Sequence, residues 1–302
     1  MSHSYIALGY DCNHSCICCP LTTFDRLHAP LKYTLIKGQI EATCKKSEKH
    51  YFTISGGEPT INDDFFKVMR LLASYNTYIT LLSNASSCED KNFVKELVDC
   101  FGSEEALRNF EYITAIHSYD PNVHDKITAT PGSLWQTMKG LDNLVDYNVR
   151  VGIKHVMNKI SCSDMGKTFN YLGNHFPKRA GFDFCSMDYA GRCGKNISEL
   201  FINFRDLRPY LEETLDIIEA NPKNSGRQIT IFETPLCLTD PYYWKYYISN
   251  KSKLSAYVAP NAETPNSMVE NVAQDCDCHH DLCQNCDVKQ WCDGIWRTTN
   301  DI

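Results

Sequence analysis

Along the first 190 residues of this 302-residue chain, short apolar and β-branched runs alternate with amphipathic stretches. The apolar runs are Tyr5–Leu8, Tyr51–Ile54, Tyr78–Leu82, Tyr112–Ile116, Val149–Val156 and Phe182–Cys185. The helical stretches between them lie near Lys32–Lys46, Phe65–Leu72, Asn92–Val98, Leu134–Val145 and Met165–Leu172. Because strands that alternate with helices form parallel βαβ units, the pattern predicts an α/β fold. Such units suit either a partial barrel or an open doubly wound sheet, and in both the functional groups lie where strands end.

The last third of the chain follows a different pattern. A long amphipathic helix is predicted over Phe204–Glu219, and one apolar run follows at Ile229–Phe232. An aromatic-rich stretch, Tyr242–Tyr247, and an Asn- and Pro-rich stretch, Ala259–Asn266, precede a tail that is dense in cysteine. We therefore expect two domains, an α/β core over residues 1–203 and a small irregular domain over residues 204–302. A bound metal would explain how such an irregular region becomes ordered.

Composition narrows the class of protein. The net charge of −7 argues against broad binding to a phosphate backbone. No apolar run approaches the roughly 20 residues that span a bilayer, and the N-terminus lacks the basic and apolar regions of a signal peptide. We therefore expect a cytoplasmic protein that binds neither nucleic acid nor membrane. The 16 cysteines are unusual for a cytosolic chain, which needs no disulfides, and they indicate metal or redox chemistry.

Three cysteines directly after the first predicted strand could hold a metal centre. Cys12, Cys16 and Cys19 have the spacing C-x3-C-x2-C, which allows three thiolates on one loop to converge. Zinc usually takes four ligands, commonly as pairs of C-x2-C. A loop with three cysteines therefore favours an iron–sulfur cluster with one open iron. A zinc loop that uses His14 or Cys18, or a set of scattered thiols, is the alternative.

A glycine-rich turn follows the second predicted strand. It contains Gly56, Gly57 and Glu58. Two glycines allow the backbone to approach a ligand closely, and Glu58 adds a carboxylate that suits an ammonium group. Gly-Gly-Glu alone is weak evidence. Its position one strand after the cysteine loop makes the pair of motifs specific.

Together these two motifs resemble the radical S-adenosylmethionine (radical SAM) superfamily, and the resemblance covers most of the chain. It implies a partial (β/α)6 barrel in which Cys12, Cys16 and Cys19 hold a 4Fe–4S cluster. It also implies that the open iron chelates the amino and carboxylate groups of S-adenosylmethionine, and that the turn of residues 56–58 binds the amino group. One position departs from the family pattern. The residue before the third cysteine is usually aromatic or another bulky apolar group, and here it is Cys18.

The resemblance extends to the ends of later strands. It implies polar contacts to the ribose or carboxylate of the cofactor, and an adenine contact after the sixth strand. The candidate residues are Ser83, Asn84, Ser118, Lys154, Asn158 and Met187. The stretch from His124 to Ser133 is similar to an H-D-x-I-T-G-x-x-G-S segment in a subset of these enzymes. His124 and Asp125 could form a general-base pair, but a loop-and-cap role before the next helix is the favoured interpretation.

A second group of cysteines lies near the C-terminus, with the spacing C-x2-C-x5-C after an earlier Pro-Leu-Cys. The candidate ligands are Cys237, Cys283, Cys286 and Cys292. In isolation these four cysteines suit a zinc site as well as they suit an iron–sulfur cluster. Behind a radical SAM core they resemble the SPASM or twitch auxiliary-cluster domains of peptide maturases. The resemblance implies one auxiliary 4Fe–4S cluster, because Trp296 stands where the SPASM pattern has a further cysteine. Cys276 or Cys278 is the alternative fourth ligand.

Two further cysteines flank the end of the sixth predicted strand. Cys185 and Cys193 lie on the side where a substrate is expected. A thiol there could donate a hydrogen atom to a substrate radical, as epimerases of this superfamily do, although packing is the favoured role for each. Four other cysteines in helical or loop stretches are interpreted as ordinary small residues. These are Cys44, Cys88, Cys100 and Cys162.

The resemblance implies an enzyme that cleaves S-adenosylmethionine reductively to a 5′-deoxyadenosyl radical, which takes a hydrogen atom from an unactivated carbon. Since an auxiliary cluster can accept an electron, we expect an oxidative outcome, most simply a crosslink in a ribosomally made peptide. The alternative is a radical epimerase or dehydrogenase that acts on a peptide or on a small molecule such as an aminoglycoside. A flavodoxin- or ferredoxin-type reductant is expected. Only eleven residues precede Cys12, so we expect no N-terminal leader-binding domain, and a separate peptide-recognition protein is a possible partner.

Overall fold

Parallel strands form one sheet in this protein. The computed structural model describes residues 2–45, 50–75, 77–248, 256–260, 283–296 and 298 of the chain. The strands within those residues are β1 (Ser2–Ala7), β2 (His50–Ser55), β3 (Tyr78–Leu82), β4 (Phe110–Ala115), β5 (Arg150–Val156), β6 (Gly181–Cys185), β7 (Ile229–Phe232) and β8 (Ala256–Val258). Their spatial order is β7-β6-β5-β4-β3-β2-β1-β8. Strands β1 to β7 thus follow chain order, and β8 pairs with the free edge of β1.

Helices follow most of these strands. Those in the described ranges are α1 (Tyr33–Cys44), α2 (Phe65–Ala73), α3 (Lys91–Asp99), α4 (Glu104–Leu107), α5 (Pro121–Thr128), α6 (Ser133–Asp146), α7 (Met165–His175), α8 (Gly191–Lys195), α9 (Ile197–Leu200) and α10 (Phe204–Ala220). Because βαβ crossovers are right-handed and the strand order never reverses from β1 to β7, the crossovers lie on one face of the sheet. This is the winding of a (β/α) barrel, whereas a doubly wound sheet reverses its order. The predicted α/β fold is confirmed.

The register of the strands separates two faces of the sheet. Paired residues share a face, and successive residues of a strand alternate between faces. One row, buried in a common core with the helices, is Ile6, Ile54, Leu81, Tyr112 and Val151. A row on the opposite, inner face is Tyr5, Thr53, Thr80, Glu111 and Arg150. Burial of each large apolar side chain of the first row contributes about 1.5–3 kcal/mol, so the helix-covered face stabilises the fold and leaves polar groups on the inner face.

Each predicted strand is present within a few residues of its expected bounds, and the predicted helices correspond to α1, α2, α3, α6, α7 and α10. The short helices α4, α5, α8 and α9 and the three-residue strand β8 were not predicted. Helix α5 has a local signal that the apolar pattern does not contain. Its N-cap residue Asp120 accepts a hydrogen bond from the backbone of Asn122, and Pro121 occupies the first turn.

The sheet and its core extend beyond residue 203, where the sequence suggested a domain boundary. Helix α10 packs against α7 and contributes Leu207, Leu211 and Leu215 to the main hydrophobic core. Strand β7 pairs with β6 over four residues. The division at residue 203 stays a prediction, and part of the later segment shares the core of the first. No helix in the described part of the chain is both long and apolar enough to cross a membrane.

Candidate active site

The loop that carries the first three cysteines leaves the end of β1 and is anchored on α5. The backbone N–H of Ser15 donates to the carbonyl oxygen of Thr128 at 3.2 Å. The N–H of Ile17 donates to the carbonyl oxygen of Ile127 at 2.8 Å. Both acceptors belong to the last turn of α5, whose carbonyl groups have no partner within the helix. The segment that the sequence analysis compared with H-D-x-I-T therefore supports the cysteine loop.

The other side of the cysteine loop is held by α8, which follows β6. Arg192 donates from Nη1 to the carbonyl oxygen of Cys16 at 3.4 Å, and the N–H of Cys193 donates to the carbonyl oxygen of Cys19 at 3.1 Å. Gly191 has φ of +56°, and a Cβ atom on it would lie 2.2 Å from the carbonyl oxygen of Pro20. A larger residue does not fit here. Residues 191–193 thus fix this side of the cysteine loop from more than 170 residues away in the chain.

The glycine turn after β2 packs directly on the same loop. The N–H of Gly57 donates to the carbonyl oxygen of Gly9 at 2.8 Å, and the N–H of Glu58 donates to that of Asp11 at 2.7 Å. A Cβ on Gly57 would lie 2.1 Å from the Asp11 oxygen, and one on Gly56, where φ is +132°, would lie 2.1 Å from the Gly9 oxygen. The two glycines are therefore required by the close approach of the cysteine loop, a contact that the sequence analysis had assigned to a ligand.

The carboxylate of Glu58 is buried and joins the ends of β2 and β3. Its Oε1 accepts hydrogen bonds from the backbone N–H of Thr60 at 3.0 Å, from Thr60 Oγ1 at 2.6 Å and from Ser83 Oγ at 2.7 Å. Its Oε2 accepts one from the N–H of Asn84 at 2.7 Å. Oε1 is thus saturated, whereas Oε2 has capacity for a further donor. Ser83 and Asn84, both candidate cofactor contacts, lie at this carboxylate.

The thiols of the loop influence one another. Burial raises the pKa of Cys12 to about 11, and the nearby charges of Cys16 and Cys19 add to this effect. A hydrogen bond from Cys18, together with one from His14, lowers the pKa of Cys16 to about 5 against the opposing effect of burial. The Cys18 thiol is the donor of this bond, and its pKa is raised well above the ordinary value. Cys18 therefore lies beside Cys16 and donates a hydrogen bond to its sulfur. It occupies the position where the family has a bulky apolar group.

Buried histidines surround this side of the loop. His117, His124 and His155 lie on β4, α5 and β5 or directly after them, with the ring of His117 5.6 Å from that of His124 and 6.3 Å from that of His155. Burial lowers the pKa of His124 and of His155 to about 4, and that of His117 well below its ordinary value. His117 Nε2 lies 3.9 Å from Cys18 Sγ. The rings are thus neutral at ordinary pH, and sequence reasoning did not identify this group.

The donor set fits an iron–sulfur cluster by its chemistry. Three thiols on one loop are the ligands that such clusters take. Among the described residues, four buried nitrogen atoms near the loop have no hydrogen-bond partner, namely His14 Nε2, Arg26 Nε, His117 Nδ1 and His124 Nε2. Unpartnered buried donors of this kind suit the sulfur atoms of a bound cluster as acceptors. No three His, Cys, Asp or Glu side chains in the described ranges converge as ligands of one metal ion, and a cubane holds its thiolates farther apart than one ion does.

Two other candidate cofactor contacts use their hydrogen bonds within the protein. Ser118, fully buried, donates to Asp164 Oδ2 at 2.7 Å. Asn158 Nδ2 donates to the carbonyl oxygen of Val156 and to Ser161 Oγ, each at 2.9 Å. These bonds stabilise the loops after β4 and β5. The assignment of Ser118 and Asn158 to the cofactor stays a prediction.

Asp125 has the capping role that the sequence favoured. Its carboxylate accepts hydrogen bonds from the N–H of Gly132 at 2.6 Å, from Ser133 Oγ at 2.9 Å and from the N–H of Leu134 at 3.0 Å. Burial opposes ionisation, but these bonds outweigh it and lower the pKa of Asp125. Its neighbour His124 accepts the backbone N–H of His117 at Nδ1, at 3.2 Å. The pair therefore ties α5 to α6 and to the end of β4.

Lys154 and Cys185 lie side by side on the inner face, where β5 and β6 end. Lys154 Nζ is hydrogen-bonded to the Cys185 thiol and lies 5.0 Å from the centre of the Phe232 ring. Burial opposes the charge of Lys154, but Cys185, Glu233 and Asp183 outweigh it and raise its pKa. Burial raises the pKa of Cys185 to about 12. The pair is thus an ammonium group and a protonated thiol, facing two carboxylates.

Met187 and Cys193 pack in a small apolar cluster with Tyr189 and Leu200. Ile17 and Cys18 of the cysteine loop lie against the same cluster. Burial raises the pKa of the Cys193 thiol to about 12. Met187 is therefore close to the first cysteine loop, and Cys193 is a buried, protonated thiol whose surroundings are mainly apolar.

The C-terminal cysteines come together after β7. Burial raises the pKa of Cys237, and the charges of Cys292, Cys283 and Cys286 raise it further, so the four sulfurs share one region. Cys292 Sγ accepts hydrogen bonds from the N–H of Leu236 at 3.3 Å and from the N–H of Gly294. These N–H···S contacts orient one thiol of the group. Cys276 and Cys278, the alternative ligands, lie outside the described residues.

The C-terminal segment also reaches the end of β6. Thr298 Oγ1 donates to Asp188 Oδ1 at 2.9 Å and accepts the N–H of Tyr189 at 3.0 Å. Beside the cysteines, a cavity of about 400 Å³ is lined largely by aromatic and aliphatic side chains, among them Trp244, Tyr247 and Trp291. The C-terminal thiols therefore adjoin an apolar cavity, and Thr298 contacts two residues that follow β6.

The cysteine loop, the glycine turn that packs on it and the barrel-like winding define a class of protein. The family described as the Radical SAM superfamily matches residues 6–171, more than half of the chain. The chain therefore belongs to the radical SAM superfamily. Membership implies a 4Fe–4S cluster and S-adenosylmethionine as cofactors.

Individual proteins resemble this chain over part of their length. A probable GTP 3′,8-cyclase from Pyrobaculum aerophilum is 24% identical over 192 residues, which are 63% of this chain and 59% of that protein. Streptococcus suis SuiB bound to precursor peptide SuiA has a TM-score of 0.55 at 16% identity, over 73% of this chain and 47% of that one. Native anSMEcpe with bound AdoMet and Cp18Cys peptide has a TM-score of 0.59 at 16% identity, over 76% of this chain and 63% of that one. This chain spans about half to two thirds of these proteins, and the structural similarities show the fold.

Proposed function

We propose that this radical SAM enzyme modifies a ribosomally made peptide oxidatively, with formation of a crosslink. The observation that carries the proposal is the grouping of Cys237 with Cys283, Cys286 and Cys292 beside the end of the barrel. Such a set suits an auxiliary 4Fe–4S cluster. After a hydrogen atom has left the peptide, the carbon radical must lose one electron and one proton to give a closed-shell product. A second cluster at this position would accept that electron.

The residues of the barrel would bind and orient the cofactors. Cys12, Cys16 and Cys19 would hold the first cluster, and the turn of residues 56–58 with Ser83 and Asn84 would face the cofactor amino group. When bound, the cluster and S-adenosylmethionine supply a 5′-deoxyadenosyl radical by reductive cleavage. The chain itself contributes geometry and exclusion of water. Glu58 Oε2 accepts one hydrogen bond within the protein, from the N–H of Asn84, and could accept another from the amino group of the cofactor. This supports the proposed orientation of the cofactor.

The apolar cavity next to the C-terminal cysteines supports a peptide rather than a small polar substrate. Trp244, Tyr247 and Trp291 offer the kind of surface that anchors aromatic or aliphatic side chains. Solved structures of similar fold contain peptides in their complexes.

We further propose that residues 204–302 contain the auxiliary-cluster region. A flavodoxin- or ferredoxin-type protein would supply electrons, and a separate protein could present the peptide.

The test uses the reconstituted protein under anaerobic conditions with S-adenosylmethionine, a reductant and candidate precursor peptides. Formation of 5′-deoxyadenosine together with a peptide that has lost two hydrogen atoms supports the proposal. A parallel reaction with GTP in place of peptide tests the activity for which the cyclase relative is named. Conversion of GTP, with every peptide left unchanged, would overturn the peptide assignment.

A second function, radical epimerisation, is favoured by one observation. The Cys185 thiol is buried, protonated and hydrogen-bonded to Lys154 on the inner face. Such a thiol can return a hydrogen atom to a carbon radical, which leaves the oxidation state of the product unchanged. The thiyl radical that remains would be restored by one electron from the proposed reductant and one proton. Reaction in deuterium oxide separates the two functions. Epimerisation adds one deuterium at the reacting carbon, and Cys185→Ala prevents this, whereas a crosslink forms without deuterium and does not require Cys185.

A further inference from the structure

Arg26 lies between the two ends of the first cysteine loop. It occupies a short 3-10 turn, Asp25–Leu27, that follows the loop. Its Nη2 donates to Cys19 Sγ at 3.3 Å and its Nη1 donates to the carbonyl oxygen of Tyr10 at 3.4 Å. The guanidinium therefore contacts a sulfur that would bind iron, in addition to the backbone that precedes Cys12.

Local hydrogen bonds fix the turn that carries Arg26. Asp25 Oδ2 accepts from the backbone N–H of Thr22 at 2.8 Å and from Thr22 Oγ1 at 2.7 Å. In return, the N–H of Asp25 donates to Thr22 Oγ1 at 3.0 Å. His28 Nδ1 lies 3.1 Å from the carbonyl oxygen of Phe24. The arginine is thus presented from a turn with a defined conformation.

One donor of Arg26 has no acceptor among the described residues. Its Nε atom is buried and unpartnered, although a guanidinium carries five N–H donors and stays charged at all ordinary pH. A buried donor without a partner is costly. A sulfur atom of a cluster held by Cys19 is an acceptor that would satisfy it.

We propose that Arg26 sets the reduction potential of the first cluster. Hydrogen bonds to the sulfurs and the local charge are the means by which a protein tunes such clusters. A positive charge and a donor at Cys19 Sγ stabilise the reduced, more negative form, so they raise the potential. Arg26 acts on the cluster through its ligand and is a positioning residue. This inference rests on the proposed role of Cys19 as a ligand of the first cluster, and it holds whether the substrate is a peptide or another molecule.

A second arginine provides a matched control. Arg192 contacts the same loop, but its Nη1 donates to the backbone oxygen of Cys16 and not to a sulfur. Replacement of either arginine by glutamine removes one positive charge beside the loop. A difference between Arg26→Gln and Arg192→Gln therefore reports the contact to Cys19 Sγ.

The experiment is a redox titration of the reconstituted full-length protein, followed by electron paramagnetic resonance. The signal that changes when S-adenosylmethionine is added identifies the first cluster. In Arg26→Gln we expect the ratio of reduced to oxidised cluster at a fixed potential to fall about tenfold, which is about 59 mV for one electron. Arg26→Lys keeps the charge and should recover part of the shift, and Arg192→Gln should shift less than Arg26→Gln.

Iron and sulfide analysis distinguishes tuning from a purely structural role. Full iron content with a lowered potential supports the proposal. An unchanged potential in Arg26→Gln, whether its iron content is full or reduced, would overturn it. If Arg26→Gln fails to fold, Arg26→Met is measured instead, since methionine keeps an unbranched apolar stem and removes both the charge and the donors. An unchanged potential in that variant counts equally against the proposal.

Discussion

The two groups of cysteines are held in different ways. The first loop receives backbone hydrogen bonds from α5, α8 and the turn after β2, which are elements far apart in the chain. The C-terminal group is held mainly by short turns. The N–H of Cys286 donates to the carbonyl oxygen of Cys283 at 3.2 Å, and that of Cys292 donates to Lys289 at 3.3 Å.

This difference indicates what a bound cluster would do for each region. The fold alone orders the first loop, since its backbone partners belong to the core of the barrel. In the C-terminal group, Cys237 and Cys283 are separated by a long stretch of chain, and turns of three or four residues cannot join them. Ligands that bind one metal centre would join them, because metal binding is coupled to folding where a site is not formed in advance.

The largest effect is expected for the first loop. Cys16→Ala should abolish cleavage of S-adenosylmethionine, because two thiolates cannot hold the cubane. The measurement is the amount of 5′-deoxyadenosine formed after reduction, determined by liquid chromatography. The fold should persist, because the loop backbone stays bonded to α5 and α8.

Cys44→Ala, in helix α1, is the matched control and should cleave at the wild-type rate. If Cys16→Ala also forms 5′-deoxyadenosine at the wild-type rate, the assignment of this loop is wrong.

Replacement of Cys283, Cys286 and Cys292 by alanine should lower the iron content from about eight atoms to about four. Some 5′-deoxyadenosine should still form, since the first loop has its own supports. Product should disappear, because the substrate radical has lost its electron acceptor. The measurements are iron analysis, 5′-deoxyadenosine and product, on protein whose fold is first checked by circular dichroism.

A folded triple variant that still makes full product would reduce the C-terminal cysteines to a structural role. It would favour an epimerase-like reaction that a thiol such as Cys185 completes. Loss of the fold itself would sharpen the comparison, since it would show that the C-terminal region depends on its ligand and the first loop does not.

Glu58→Gln should weaken the binding of S-adenosylmethionine. A hydrogen bond to a charged group contributes about 1.5–3 kcal/mol, so affinity should fall roughly 10- to 150-fold. The three donors at Oε1 favour an oxygen there, which turns the new amide nitrogen toward the N–H of Asn84. Calorimetric titration with S-adenosylmethionine gives the affinity, and iron content should stay unchanged.

Glu89→Gln, at an exposed ion pair with Lys139, is the control and should bind the cofactor normally. Loss of iron together with affinity in Glu58→Gln would mean that Glu58 only joins strand ends.

The smallest effect concerns the support of the first loop. Asp125→Asn removes the charge that caps α6 and should lower the free energy of unfolding by about 0.5–2 kcal/mol at pH 7. The folded pKa of Asp125 is lowered, so its contribution is present above the unfolded pKa and is lost as the pH falls through the folded pKa. The difference in the free energy of unfolding between wild type and variant should therefore shrink only below about pH 4.

Urea unfolding of both proteins at several pH values measures this difference. An equal difference at every pH would contradict the capping role.

Much of the fold was predictable because its signals are local. Each strand and long helix shows its period within a window of about 11–18 residues, and the cysteine spacings are local too. Helix α5 was missed because its signal is the cap at Asp120 and Pro121 and not an apolar period. Strand β8 was missed because three residues are too few to show a period. The role of Gly56 and Gly57 was only partly recognised, since the sequence cannot show that the backbone of Asp11 fills the space in front of them.

The sequence by itself determined the class of fold and the residues that suit the first cluster, since alternation and spacing are properties of neighbouring residues. Only the tertiary structure decided which groups surround those residues. The contact of Cys18 with His117 joins residues 99 positions apart, and the pairing of Lys154 with Cys185 depends on the register of β5 and β6. Such contacts follow from how strands pair and helices pack, and no local pattern encodes them. For this reason the cysteine spacing of the loop could be recognised in the sequence, whereas the distant groups that surround the loop could not.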